Sequence, residues 1–183
     1  TAIAVVTDSN VAPHWLASLK DALGRPSLDI VVEPGEDNKS VNTVESIWRE
    51  LREAGFDRKS LILNLGGGVI GDMGGYAASS YMRGIDFVQI PTTLLSQVDA
   101  SVGGKVGINF SGIKNLIGAF SQPKAVVIDV TTFNTLKRRE LFSGFAEIVK
   151  HGLIHDEVYL SSIEALSMED LSSEDFERLI GRS

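Results

Sequence analysis

The stretch "LNLGGGVIGDMGGYAAS", Leu63 to Ser79, constrains the fold of this chain more than any other. Ser60–Leu65 is an apolar run of strand type that leads straight into the glycines, and the small residues from Gly74 to Met82 read as a helix. Gly66, Gly68 and Gly71 satisfy G-x-G-x-x-G in the strand–turn–helix setting that a dinucleotide fingerprint requires. Glycine lets the turn tighten and lets backbone N–H groups approach a pyrophosphate, while the helix N-terminus adds a partial positive charge. The same residues also suit a tight turn with close packing, and the bare pattern leaves both readings open. The loop follows the third predicted strand rather than the first, a departure from the standard dinucleotide arrangement. Asp86 has the spacing of a ribose-binding acid but starts a strand, at the wrong edge of a sheet. Ribose contacts are therefore expected at strand C-terminal ends, from Asp8 and Asn10 after the first strand and Glu36 and Lys39 after the second. Taken singly, each of these is equally a turn former or a surface charge.

Around this loop, strand alternates with helix. Ala2–Thr7 is an apolar run, followed by Val11, Trp15, Leu16, Leu19 and Leu23 at helical spacing. Leu28–Glu33 is a second strand, closed by Pro34-Gly35; Val44, Ile47, Trp48 and Leu51 mark a second helix with Gly55 as its stop. Asp86–Pro91 and Lys124–Asp129 read as further strands. The alternation predicts an α/β domain with a Rossmann-like, doubly wound, mostly parallel sheet. From Leu136 onward no strand is expected. A long helix carries Leu141, Phe142, Phe145, Ile148, Val149 and Gly152, and helical patterns follow around Val158–Leu166 and Phe176–Ile180. The predicted organisation is an α/β domain over residues 1–135 and the start of an α-helical domain over 136–183. The helical pattern runs almost to Ser183, so the chain is expected to be part of a longer protein.

Composition narrows the partners. The chain has 183 residues, 43% hydrophobic and 22% charged, enough for a buried core. It has no run of eighteen apolar residues and no basic signal-type start, so no membrane partner is expected. Cysteine is absent, which suits a cytoplasmic protein and excludes thiol chemistry. The net charge of −7 argues against nucleic acid. An anionic substrate would need a local cluster of Lys and Arg.

Two further stretches carry candidate chemistry. "PTTLLSQVDASVGGKVGINFSGIKNLIGAF", Pro91–Phe120, is too long and too polar for a simple crossover and reads as a functional loop. It holds Thr92, Thr93, Asp99, Lys105, Asn109, Lys114 and Asn115, and its lysines, set among glycine and apolar residues, suit a phosphate or carboxylate. In "RRELFSGFAEIVKHGLIHD", Glu147 interrupts an apolar helix face, with Lys150 and His151 three and four residues on. A structural ion pair and an oxygen ligand to a metal are both open there. With three His and no Cys in the chain, no complete metal site is visible.

The run from Gly66 to Asp129, followed by "RRELFSGFAEIVKHGLI", resembles the 3-dehydroquinate synthases, and the likeness covers most of Ile3 to Asp156. The resemblance implies conversion of 3-deoxy-D-arabino-heptulosonate 7-phosphate to 3-dehydroquinate and phosphate in the shikimate pathway. It also implies catalytic NAD and a divalent metal, zinc or cobalt. It implies that NAD is held by Asp8, Asn10, Glu36, Lys39, Gly67, Gly68, Val69, Ile70, Gly71, Asp72, Thr92, Thr93, Lys105, Lys114, Thr132 and Thr135. Arg83, Asp99, Lys105, Asn115 and Lys150 would contact the phosphorylated sugar acid, with Arg83 reaching in from the neighbouring subunit of a homodimer. Lys105, Glu147 and Lys150 would be catalytic, and Glu147 would be one metal ligand, the other two being histidines expected outside this chain. "FSGIKN" stands where "HPLGKN" is more common in that family, and His151 where Tyr is common. The chain alone is expected to be inactive. The competing readings are a metal- and NAD-dependent polyol dehydrogenase of the glycerol dehydrogenase type and a non-catalytic nucleotide-binding module.

Overall fold

The structure, a computed structural model, describes residues 1–166 and 171–183. Its centre is a five-stranded sheet in the order β2-β1-β3-β4-β7, formed by β1 (Ile3–Asp8), β2 (Leu28–Val32), β3 (Leu61–Gly66), β4 (Asp86–Pro91) and β7 (Ala125–Val126). Every pairing is parallel. Parallel strands covered on both faces read as continuous apolar runs, and β1 is buried at every position.

Helices α2 (Val41–Glu53) and α3 (Gly68–Ser80) cover one face, and α1 (Ala12–Leu23) covers the other. On α2, Val44, Ile47 and Leu51 sit at helical spacing with no exposure. Ser40 caps its first turn by accepting from Thr43 N at 3.4 Å. Ahead of α1, which has no side-chain cap, Asp8 Oδ1 accepts from Asn10 N at 2.8 Å and Val11 N at 3.0 Å and shapes the turn into the helix. Helix α3 begins at Gly68, earlier than the Gly74 start expected. Its glycines lower helix propensity, but they let the helix lie directly on the sheet. A Cβ on Gly74 would fall 1.9 Å from Asn64 Oδ1.

The stretch after β4 is more ordered than the irregular loop expected. Ser96–Ala100 forms a π-helical turn, and β5 (Lys105–Phe110) and β6 (Ile113–Phe120) pair as an antiparallel hairpin outside the main sheet. Val106 and Ile108 bury one side of the hairpin in the core that α3 shares. The last sheet strand is shorter than Lys124–Asp129, with only Ala125 and Val126 in the ladder.

Beyond a short helical turn at Val130–Thr135, the described residues form three helices: α4 (Arg138–His155), α5 (Glu157–Glu164) and α6 (Ser173–Arg182). Phe145, Ile148, Tyr159, Ile163, Phe176 and Leu179 form their core, which takes in Leu94, Val98 and Val130 from the preceding segments. At the contact, Gly144 lies against the Leu94–Leu95 backbone, where a Cβ would come within 2.4 Å of Leu95 N. Among the described residues, no helix is long and apolar enough to cross a membrane.

Candidate functional site

The strand order explains why the glycine loop follows the third strand. Connections run outward in opposite directions from β1 and β3, so the topological switch point lies between these two strands. A crevice of about 810 Å³ opens at their C-terminal ends. Asp8 and Asn10 line it from β1, Glu36 and Lys39 from the segment after β2, and Gly67, Gly68, Val69, Ile70 and Asp72 from the turn into α3. Thr92 and Thr93 come from the end of β4, Lys114 and Asn115 from the hairpin, and Thr135 from the turn before α4. A second cavity of about 480 Å³ adjoins it, lined by Asp99, Lys105, Val102, Val106 and Phe120, and it shares Asp72 and Asn115 with the first.

Helix α3 presents bare amides to the crevice. Its N-cap is Gly67, no side chain caps it, and no acidic residue stands in its first turn. The first N–H groups of a helix lack intrahelical acceptors, so this end combines free donors with the positive pole of the helix dipole. An anion such as a nucleotide diphosphate fits that arrangement.

A polar cluster adjoins this helix end. Lys39 is only 4% exposed, and its ammonium donates to Asp72 Oδ2 and Asn115 Oδ1. Burial holds the Asp72 carboxyl above the usual carboxylate range, outweighing the stabilising hydrogen bond and charge of Lys39, and Glu36 pushes in the same direction as burial. Glu36 Oε1 accepts from Asn109 Nδ2 at 3.0 Å and lies 3.9 Å from Lys114 Nζ.

Not every expected residue lines these cavities. Gly71 turns inward, its carbonyl accepting from Gln89 Nε2 at 3.0 Å. Thr132 is buried away from the crevice, its hydroxyl donating to Asp129 O at 2.7 Å and accepting from Gln97 Nε2 at 3.2 Å. Arg83 is exposed beyond the far end of α3, about 20 Å along that helix from the glycine turn. Glu147 and Lys150 sit together on α4 with an ion contact between them, outside the lining of either cavity. His151 Nε2 lies 3.4 Å from Glu147 Oε1, and His151 Nδ1 is buried without a hydrogen-bond partner. Among the described residues, no group of three His, Cys, Asp or Glu side chains could hold a metal ion. The donor set therefore does not amount to a metal site.

Sequence reasoning missed several lining residues. His14 and Trp15 from α1, and Lys137 and Glu140 at the start of α4, also face the crevice. Trp15 Nε1 donates to Thr135 Oγ1 at 2.9 Å, tying the two flanks together. Helical periodicity marks Trp15 only as apolar, and nothing local distinguishes Lys137 or Glu140 from surface charge.

Together these features define a Rossmann-like α/β domain with its ligand crevice at the β1/β3 switch point. The profile of the 3-dehydroquinate synthase N-terminal family matches residues 29–143, and the chain belongs to the 3-dehydroquinate synthase family. It is 54% identical over 176 residues to the 3-dehydroquinate synthase of Sulfurovum sp. (strain NBC37-1), covering 96% of this chain and 49% of that protein. The chain spans about half the length of the curated relatives it matches. Among solved structures it resembles ValA, the 2-epi-5-epi-valiolone synthase from Streptomyces hygroscopicus subsp. jinggangensis 5008 with NAD⁺ and Zn²⁺ bound. The TM-score is 0.84 at 28% identity, covering 99% of this chain and 53% of that one. A 2-deoxy-scyllo-inosose synthase complexed with carbaglucose-6-phosphate, NAD⁺ and Co²⁺ gives a TM-score of 0.83 at 26% identity, covering 98% of this chain and 51% of that one.

Proposed function

We propose that this chain is the cofactor-binding half of a 3-dehydroquinate synthase, which cyclises 3-deoxy-D-arabino-heptulosonate 7-phosphate to 3-dehydroquinate with release of phosphate. The observation that carries this reading is the uncapped N-terminus of α3 facing a crevice that also gathers Glu36, Lys39, Asp72 and the Thr92–Thr93 pair. In this reading the α3 amides take the diphosphate of NAD, and Asp8, Asn10 and Glu36 supply acceptors for its hydroxyls. Bound NAD would supply reversible hydride acceptance at a carbinol, with the coenzyme regenerated within the cycle. The adjoining cavity takes the phosphorylated sugar acid, with Lys105 meeting its negative charge and Asp99 and Asn115 orienting its hydroxyls. Sharing Asp72 and Asn115 keeps the two ligands against one another.

Glu147 would be one oxygen ligand to a divalent cation, beside Lys150; the remaining ligands would come from outside this chain. Residues 1–135 form the NAD-binding domain and 136–183 the first helices of a second one. The chain alone is inactive, and the whole enzyme is a cytoplasmic homodimer in which Arg83 serves the neighbouring subunit's phosphate site. The names borne by relatives at about half identity favour the synthase over a polyol dehydrogenase.

The test is calorimetric titration of the chain with NAD⁺, alongside Gly68→Val, which puts bulk at the crevice end of α3. Binding by the wild type and its loss in a folded Gly68→Val variant are expected. No binding at millimolar NAD⁺, or equal binding by both, refutes the cofactor reading. For the whole enzyme, phosphate release from the heptulosonate phosphate without NADH accumulation is expected; NADH accumulation with a simple polyol would favour the dehydrogenase.

A further inference from the structure

Asn109 lines neither of these two cavities, yet it is densely hydrogen-bonded beside them. It lies on β5 where the hairpin register shifts between Ile108 and Phe110, out of the regular ladder. Irregularities of this kind re-aim a side chain, often next to a site. Its Nδ2 donates to Glu36 Oε1 at 3.0 Å and to Glu36 O at 3.3 Å. Its Oδ1 accepts from Asn115 N at 2.9 Å, and its own N–H donates to Lys39 O at 2.9 Å. One side chain therefore joins the segment after β2 to the far strand of the hairpin.

Two consequences follow from the geometry. Glu36 is held through one oxygen only, and Oε2 has no hydrogen-bond partner among the described residues. Its tether is mainly a neutral amide, because Lys114 Nζ stands off at 3.9 Å and is 77% exposed. The carboxylate is thus oriented without being neutralised and stays a strong acceptor. Asn115, meanwhile, has φ 52°, in the left-handed region that few side chains adopt. The bond from its N–H to Asn109 holds it there, with its Oδ1 on the Lys39 ammonium.

We propose that Asn109 is a positioning residue: it fixes Glu36 so that the free carboxylate oxygen can accept from a nucleotide hydroxyl, and it sets Asn115 on the wall shared by the two cavities. This inference rests on the dinucleotide reading of the crevice. The experiment is titration of the 183-residue chain with NAD⁺ by calorimetry, for wild type, Asn109→Ala, Glu36→Ala and the double variant, with a thermal melt of each. Asn109→Ala should bind about tenfold more weakly, the worth of one charge-assisted hydrogen bond, with a melt that stays cooperative and falls by only a few degrees. In the Glu36→Ala background, Asn109→Ala should cost clearly less than it does in the wild type, the remainder coming through Asn115; a residue that merely props up the hairpin would show additive losses. Asn109→Asp, equal in size but unable to donate to Glu36, guards against misfolding of the alanine variant and should also bind at least about tenfold more weakly.

Additive losses, or wild-type affinity in either Asn109 variant, overturn the proposal while leaving the cofactor reading intact. Absence of NAD⁺ binding by the wild type overturns the cofactor reading itself and takes this inference with it.

Discussion

Gly144→Ala probes the contact between α4 and the segment after β4. Gly144 is buried, and a Cβ there would lie 2.4 Å from Leu95 N, 2.6 Å from Leu94 Cβ and 2.8 Å from Leu94 C. Ordinary contact begins at 3.4 Å, so the helix would have to retreat by roughly 1 Å. The obstacle is largely main chain, which has no alternative rotamer. Against this cost stands the gain of about 1 kcal/mol for alanine over glycine inside a helix. Overpacking a filled interior costs about 1–3 kcal/mol, and more where backbone must move. Taking about 3 kcal/mol for a main-chain obstacle, the clash should win by about 2 kcal/mol, which for a chain of this size lowers Tm by roughly 4–8 °C.

Gly181→Ala is the internal control. Gly181 is exposed on α6 with nothing within 4 Å of a built Cβ, so that variant keeps the propensity gain without the clash. Differential scanning calorimetry of both variants beside the wild type is the assay. A Gly144→Ala protein that melts at or above the wild type would refute the argument that main-chain contact sets this seam.

Removing the ammonium with Lys39→Met leaves Asp72 half-buried and uncompensated, and should cost about 2–4 kcal/mol by urea denaturation. Adding Asp72→Asn should recover most of that stability but not NAD⁺ binding. Asp72 also gives a pH signature. Its carboxyl is held high by burial, so its contribution to stability is present in acid and lost as pH rises through its raised pKa. The urea midpoint of Asp72→Asn should therefore shift in the variant's favour, relative to wild type, as pH rises above the ordinary carboxylate pKa of about 4. Asp156 should behave in the opposite sense. It caps α5 through Tyr159 N at 3.0 Å and pairs with Arg182 at 2.5 Å, and the hydrogen bond from Tyr159 is the first cause lowering its pKa. Its stabilisation is present above the ordinary carboxylate pKa, so the Tm advantage of wild type over Asp156→Asn should vanish as pH falls below about 4.

The sheet was legible because parallel strands covered on both faces leave apolar runs such as "IAVV" and "LIL". The hairpin was not. β5 and β6 carry glycine and asparagine, which depress strand propensity, and much of β6 is exposed, so no clean alternation survives. The start of α3 was hidden for a related reason, since its glycines lower helix propensity and only close packing, such as that of Gly71 on Gln89, Gly74 on Asn64 and Gly75 on Val106, explains them. In the site, the glycine turn could be found because its signal is local. The Asn109–Glu36 link spans 73 positions, and no pattern within a window could have disclosed it. Thr132 shows the converse: it stands close in sequence to Thr135, which faces the crevice, yet its hydroxyl is committed to Asp129 and Gln97.

Asp72 and Asn115 border both cavities, and Lys39 reaches both of them at once. A single cation thus divides its hydrogen bonds between two partners that different guests would compete to engage. Whatever pulls Lys39 towards one compartment alters the polarity that the other offers. Thermodynamic linkage makes the effect equal in both directions, so the second guest must favour or oppose the first by the same factor. Communication between the two compartments therefore needs no moving domain, only a redistribution of hydrogen bonds around one ammonium.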